Sequence, residues 1–183
     1  MKATEYAQHL RFNRYLIHQF ICDVFDEPSV KFQVSTGNEV VILIQSNSPV
    51  KKYPSVGVLL SKEIDINVFT LGTYRISVDL NAVRQIKIDG KKNSKKIPVV
   101  GNDVVDWIQN RSDVWGIRVN DIVVHPTQNE RSVKGSTNID CRWHKVQLTA
   151  NVVDVDKFHK MILNGIGSQK SFGYGMIKAI KIK

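Results

Sequence analysis

No apolar run in this 183-residue sequence approaches the roughly 20 residues of a membrane span. A membrane-crossing helix is therefore not expected. Residues 1–12 lack the apolar centre of a secretory signal. Cysteine is scarce: Cys22 and Cys141 stand far apart and form no local metal-binding pair. A cytoplasmic, reduced protein is the simplest reading, with the two cysteines as small packed side chains. Acidic charge is also in short supply. Seventeen Asp and Glu face 26 Lys and Arg, leaving a formal net charge of +9. Such an excess suggests a polyanionic partner, nucleic acid or an anionic membrane surface, without choosing between them. Hydrophobic content of 42% is enough for a core, and 23% charged residues is too ordinary for a disordered chain.

Periodicity then divides the chain. Leu16, Ile17, Phe20, Ile21, Val24 and Phe25 recur at three- and four-residue spacings, which predicts a helix over 14–25. Glu27-Pro28 ends it. Residues 30–34 and 39–45 read as strands joined by a turn at Thr36-Gly37-Asn38. Residues 47–54 form a loop carrying Lys51 and Lys52, and a short apolar stretch follows at 56–60. Strands are expected at 64–69 and 74–82, broken by Leu71-Gly72-Thr73, with a domain boundary near Gly72. Residues 90–96 hold Lys91, Lys92, Lys95 and Lys96 and read as a solvated basic loop. Asn102 caps a short helix through 110.

Residues 117–124 and 140–153 read as long strands. Between them lies a polar, basic stretch, 128–137, with Arg131 and Lys134. Asp154 is the N-cap of a helix carrying Val155, Phe158 and Ile162 on its face, and Asn164-Gly165 stops it. A strand over 173–182 closes the chain. The second unit, 73–183, thus runs strand, helix, strand, strand, helix, strand, the ferredoxin-like order also used by RNA-recognition domains. The first, 1–72, reads the same way, with a weak first strand within 2–12 and a degenerate second helix at 56–60. The expected fold class is α+β, with tandem ferredoxin-like domains.

The most informative stretch is 165–175, with Gly165, Gly167, Gly173 and Gly175 around Ser168, Lys170 and Ser171. It contains no Walker signature. It is no dinucleotide fingerprint either, since that motif follows a strand and opens a helix, whereas this one follows a helix and precedes a strand. Glycines permit positive φ and close backbone approach, so main-chain N–H groups could face phosphates, aided by Lys170, Ser168 and Ser171. A tight turn leading into a glycine-bearing edge strand fits equally well.

The pattern G-I-G-x-x-K-x-F-G-x-G-M-I resembles the glycine-rich loop of the repeat-associated RNA-processing proteins of CRISPR systems, with Lys170 placed as in the CasE type. Three further segments agree in order. Tyr15-Leu16-Ile17-His18 is similar to that family's Tyr-x-x-His, 40–49 to its strand running into a Q-S-x-x-P loop, and 158–165 to its last helix.

The resemblance implies a metal-independent endoribonuclease that cuts CRISPR repeat RNA at the 3′ base of its hairpin. It implies that the protein stays on the mature crRNA 3′ hairpin beside other Cascade subunits. No cofactor is expected, and no His, Cys, Asp and Glu set has metal-ligand spacing. RNA can be cut by its own 2′-hydroxyl, which leaves a 2′,3′-cyclic phosphate and needs proton transfer and in-line positioning. Histidine suits proton transfer at neutral pH. Tyr15 and His18, three apart, lie roughly 60° apart around a helix, beside its apolar arc. By resemblance His18 is the acid or base and Tyr15 the positioning group; without it, His18 reads as an ordinary surface histidine. His9, His125, His144 and His159 read as structural or solvated. The basic clusters Lys51/Lys52, Lys91/Lys92/Lys95/Lys96 and Arg131/Lys134 are the candidate RNA contacts, Arg131 and Lys134 foremost because the family uses the corresponding hairpin region against the RNA stem. A ferredoxin-like RNA-hairpin-binding subunit without catalysis is the rival, followed by a basic subunit that contacts protein only.

Overall fold

The computed structural model describes residues 13–26, 30–36, 40–54, 59–87 and 94–183. The first helix, α1 (Arg14–Phe25), spans the residues its periodicity predicts. Asn13 caps it: its side chain accepts from the Tyr15 N–H at 3.0 Å. Asp26 ends it in the left-handed region, φ 52°. Ile17, Ile21, Val24 and Phe25 are buried against Val30 and Phe32, and each such side chain contributes about 1.5–3 kcal/mol on full burial. Leu16, expected on this face, is turned outward and 38% exposed. It lies about 100° around the helix from Ile17, at the far edge of the stripe.

The strands β1 (Lys31–Thr36) and β2 (Val40–Gln45) pair antiparallel, Lys31 opposite Gln45. Their expected turn at Gly37 and Asn38 lies outside the described residues, as do the weak strand within 2–12 and most of the stretch at 56–60. The strand expected at 64–69 is absent. Only a single 3₁₀ turn, Ile66–Val68, forms there, because Asp65 accepts from the Asn67 N–H at 2.9 Å. A local cap of this kind competes with strand pairing.

The second unit is built on β3 (Gly72–Leu80). After it come β4 (Val83–Ile86), β5 (Lys95–Pro98), α2 (Asp103–Gln109), β6 (Ile117–Val124), β7 (Gln128–Lys134), β8 (Thr137–Val152), α3 (Val155–Asn164) and β9 (Lys178–Lys181). The main sheet has the order β6-β8-β3-β9, with every neighbour antiparallel. With α2 before β6 and α3 before β9, this is the ferredoxin-like arrangement. Tyr74, Ile76, Val78 and Leu80 alternate from β3 into a core closed by both helices.

Three features depart from expectation. Lys95 and Lys96, expected in a basic loop, open β5, which pairs antiparallel with β4, while residues 90–93 of that loop lie outside the described residues. The polar stretch before β8 is the strand β7, pairing with Thr137–Trp143 of an overlong β8. The closing strand starts only at Lys178, because Gly173 and Gly175 hold φ of 82° and 79°, outside the strand region.

Candidate active site

The order of the elements brings one wall of α1 against the β7–β8 hairpin and the 3₁₀ turn Lys170–Phe172. Asn13 Nδ2 donates to the Val133 carbonyl at 3.1 Å. Arg14 Nε donates to Glu130 Oε1 at 2.7 Å. Between these elements opens a cleft of about 340 Å³. Tyr15, His18, Gln19, Cys22 and Asp23 line it from α1; Lys134, Ser171 and Phe172 line it from the opposite side.

His18 sits half-buried, its ring stacked on Phe32 with centroids 6.4 Å apart and planes 17° from parallel. Tyr15 lies 6.4 Å from it and 6.1 Å from Phe172, centroid to centroid. The Cys22 sulfur flanks the imidazole, 3.6 and 3.7 Å from its two nitrogens. Lys134 Nζ stands 5.3 Å from the centre of the Tyr15 ring, within cation–π range. Burial, and after it the Lys134 charge, hold His18 below the usual imidazole pKa. Both causes favour the neutral ring, in which one nitrogen can accept a proton.

Tyr15, His18, Lys134 and Ser171 are thus brought together. The other candidates fall elsewhere. Lys170 precedes Ser171 but does not line the cleft; it is half-buried, and burial alone lowers its pKa. Arg131 is exposed on β7 and pairs with Asp140 at 2.8 Å. Lys51 pairs with Asp26 at the C-terminal end of α1. The Lys51 and Lys52 amides both donate to the Val24 carbonyl at 3.0 Å. Val24 is six residues past His18, about 9 Å along the helix axis.

Part of the backbone of the glycine-rich loop is engaged within the protein. The N–H groups of Gly165, Ile166, Ser168, Phe172, Gly173 and Gly175 all donate to protein carbonyls. The glycines are needed for close packing. A Cβ on Gly175 would lie 2.0 Å from the Ile166 oxygen, one on Gly167 2.7 Å from the Asn81 oxygen, and one on Gly165 2.5 Å from the Gly175 oxygen. On Gly173 it would lie 2.6 Å from the ring of Phe32, the residue that stacks on His18. Ser171 and Phe172 are the parts of the loop that line the cleft.

His144 is buried and contacts the His125 carbonyl at 3.0 Å, and His159 contacts the Phe69 carbonyl at 2.7 Å. Both read as structural, while His9 lies outside the described residues. Cys141 is buried, and burial pushes its thiol up to about 11. Among the described residues, no group of three or more His, Cys, Asp or Glu converges, and no helix is long and apolar enough to cross a membrane. Sequence reasoning missed Phe172, Cys22, Gln19 and Asp23 as cleft residues. The helical spacing from His18 carried a signal for Cys22 alone, at i+4.

A family model described as CRISPR associated protein matches residues 2–180. No curated protein matches the sequence. Among solved structures, the CRISPR endoribonuclease Cse3 bound to 19-nucleotide RNA is similar over 98% of this chain and 94% of its own, with a TM-score of 0.81 and 14% identity. The CRISPR-associated protein Cas6e from Escherichia coli K-12 is similar over 93% of each chain, with a TM-score of 0.75 and 19% identity. A chain of a CRISPR RNA-guided surveillance complex in a pre-nicking state is similar over 93% of this chain and 91% of its own, with a TM-score of 0.72 and 16% identity. At these identities the likeness establishes the fold: α+β, with two ferredoxin-like domains in tandem.

Proposed function

Since the chain belongs to the CRISPR associated protein family, we propose that it is a CasE-type endoribonuclease that cuts CRISPR repeat RNA at the 3′ base of its hairpin without a metal ion. The observation that carries this reading is the cleft itself: a half-buried imidazole whose neutral form is favoured, facing a lysine and a serine across an open space. Neutral His18 takes the proton of the 2′-hydroxyl. The 2′-oxygen bonds to phosphorus, and the bond to the 5′-oxygen breaks. The products carry a 2′,3′-cyclic phosphate and a 5′-hydroxyl, with the proton returned to the leaving oxygen. Lys134, exposed at the end of β7, offsets the charge that gathers on the phosphoryl oxygens. Ser171 offers a hydrogen bond to the same group, and Tyr15 holds the nucleotide in line.

Lys170 and Arg131 extend this positive surface along the RNA, with Lys51 and Lys52 as outlying contacts. The glycines and Ser168 act through the loop's shape. Domains 1–72 and 73–183 supply the catalytic helix and the glycine-rich loop respectively. After cutting, the protein stays on the crRNA 3′ hairpin as a subunit of Cascade in the cytoplasm; the similar chain of the RNA-guided surveillance complex supports this assembly. The test is a repeat RNA with one 2′-deoxy sugar just upstream of the cut. It should bind normally and remain whole. Cutting of the deoxy RNA would refute 2′-hydroxyl attack, and an uncut all-ribose repeat would favour the RNA-binding subunit without catalysis.

A further inference from the structure

Arg14 opens α1 one turn ahead of His18, yet the residue is only 8% exposed. A buried guanidinium is costly unless its charge and donors are matched. Here they are. Nε donates to Glu130 Oε1 at 2.7 Å, and Nη1 donates to the Phe172 carbonyl at 3.5 Å. The guanidinium carbon lies 4.7 Å from the centre of the Tyr174 ring and 5.8 Å from that of Trp143. The Tyr174 hydroxyl donates to the second oxygen of Glu130 at 3.1 Å. This network ties together α1, β7 and the segment after α3, the three parts of the fold that line the cleft.

The spacing gives the network a direction. Arg14 and His18 are four apart and share one side of α1. Glu130 and Lys134 are four apart and share one face of β7. Apolar packing is non-directional, so the rotation of α1 against β7 is left to its polar contacts, the Asn13 bond to the Val133 carbonyl and the Arg14–Glu130 pair. An arginine–carboxylate hydrogen bond fixes geometry as well as proximity. We propose that Arg14, locked to Glu130 and Tyr174, is a positioning residue that sets the rotation of α1 against β7 and so holds His18 opposite Lys134 and Ser171. This rests on the cleavage reading above. If Arg14 only stabilised the fold, every folded molecule would keep an intact cleft; a positioning role makes the cleft depend on the pair.

The test compares wild type with Arg14→Met, Glu130→Gln and Arg14→Met/Glu130→Met. Three quantities are read: single-turnover cutting of the repeat hairpin, affinity for the 2′-deoxy hairpin, and titration of His18 by NMR without RNA. Besides Lys134, the titratable groups lining the cleft with His18 are Tyr15, Cys22 and Asp23. Arg14→Met should slow cutting 30-fold or more and leave affinity within threefold. The double variant restores the melting temperature lost in Arg14→Met, because no carboxylate loses its partner, but it does not restore the rate. It is also charge-neutral, so a rise of the His18 midpoint reports that Lys134 no longer faces the ring. Glu130→Gln, nearly isosteric, keeps a folded protein in the comparison. Loss of its negative charge would lower the His18 midpoint directly, whereas loosening of the lock raises it, and a rise is expected. A folded double variant that cuts within threefold of wild type, or a Glu130→Gln protein whose His18 midpoint falls, overturns the proposal. A wild type that leaves the repeat uncut refutes the cleavage reading instead, and the NMR titration still decides the positioning role.

Discussion

His18→Ala removes one imidazole from the cleft and little else. The ring is half-buried and belongs to none of the buried apolar clusters. Its main ring contacts are Phe32 and Tyr15, each 6.4 Å away between centroids. Losing aromatic contacts of that kind costs about 0.5–1.5 kcal/mol. A domain stable by roughly 5–15 kcal/mol absorbs that and stays folded. The rate bears the larger effect. Proton transfer by a positioned side chain contributes about 10²–10⁴-fold, or about 2.7–5.4 kcal/mol of barrier. The assay is single-turnover cutting of end-labelled repeat hairpin, with melting temperature and hairpin affinity measured on the same preparation. The expected outcome is a folded protein that binds within a few-fold of wild type and cuts at least 100-fold more slowly. A folded His18→Ala protein cutting near the wild-type rate would refute the assignment of proton transfer to this residue.

Lys134→Met should move the acid limb of the pH–rate profile. The imidazolium is disfavoured by burial and then by the Lys134 charge, so the midpoint lies below that of a free imidazole. Removing the lysine lifts one of those two causes and raises the midpoint; an unmoved limb contradicts the facing of His18 by Lys134. RNA binding should weaken steeply with salt, by up to about 0.9 in log K per phosphate contact per log unit of salt. Lys170→Met should make that slope shallower if Lys170 touches a phosphate, and an unchanged slope removes it from the RNA surface. Gly175→Ala should destabilise the protein by more than the roughly 1–2 kcal/mol of a left-handed backbone alone, since the new Cβ would lie 2.0 Å from the Ile166 oxygen. Denaturation by urea measures this, and unchanged stability refutes the close-packing role of the loop.

The ferredoxin-like order of the second unit was legible because its strands and helices bury regular stripes, such as Tyr74 to Leu80 and Phe158 with Ile162. The apolar stripe of α1 places Tyr15 and His18 together beside it, but by itself it left His18 an ordinary surface histidine; only the resemblance singled the two out. What escaped lacks such a stripe. β7 shows polar residues on both faces, with Ser132 as its one fully buried side chain. β5 is Lys-Lys-Ile-Pro, with both lysines exposed and a single aliphatic residue. Residues 64–69 alternate like a strand, but Asp65 captures the backbone locally and the ladder never forms. The glycine-rich loop was ambiguous for a different reason. Glycine frees the backbone to approach either a phosphate or another part of the protein, and the close approach of the protein at Gly167, Gly173 and Gly175 is a tertiary feature that no local pattern shows. The Arg14–Glu130 pair, 116 residues apart, left no local pattern at all.

Cutting of the wild-type repeat RNA in excess EDTA, with the ends of the products analysed, tests the central claim most directly. Acid–base chemistry by His18 needs only groups present in the cleft. The account predicts an undiminished rate and an upstream fragment ending in a 2′,3′-cyclic phosphate. Loss of cutting in EDTA, its return with a divalent ion, and a 3′-hydroxyl on the upstream fragment would contradict it.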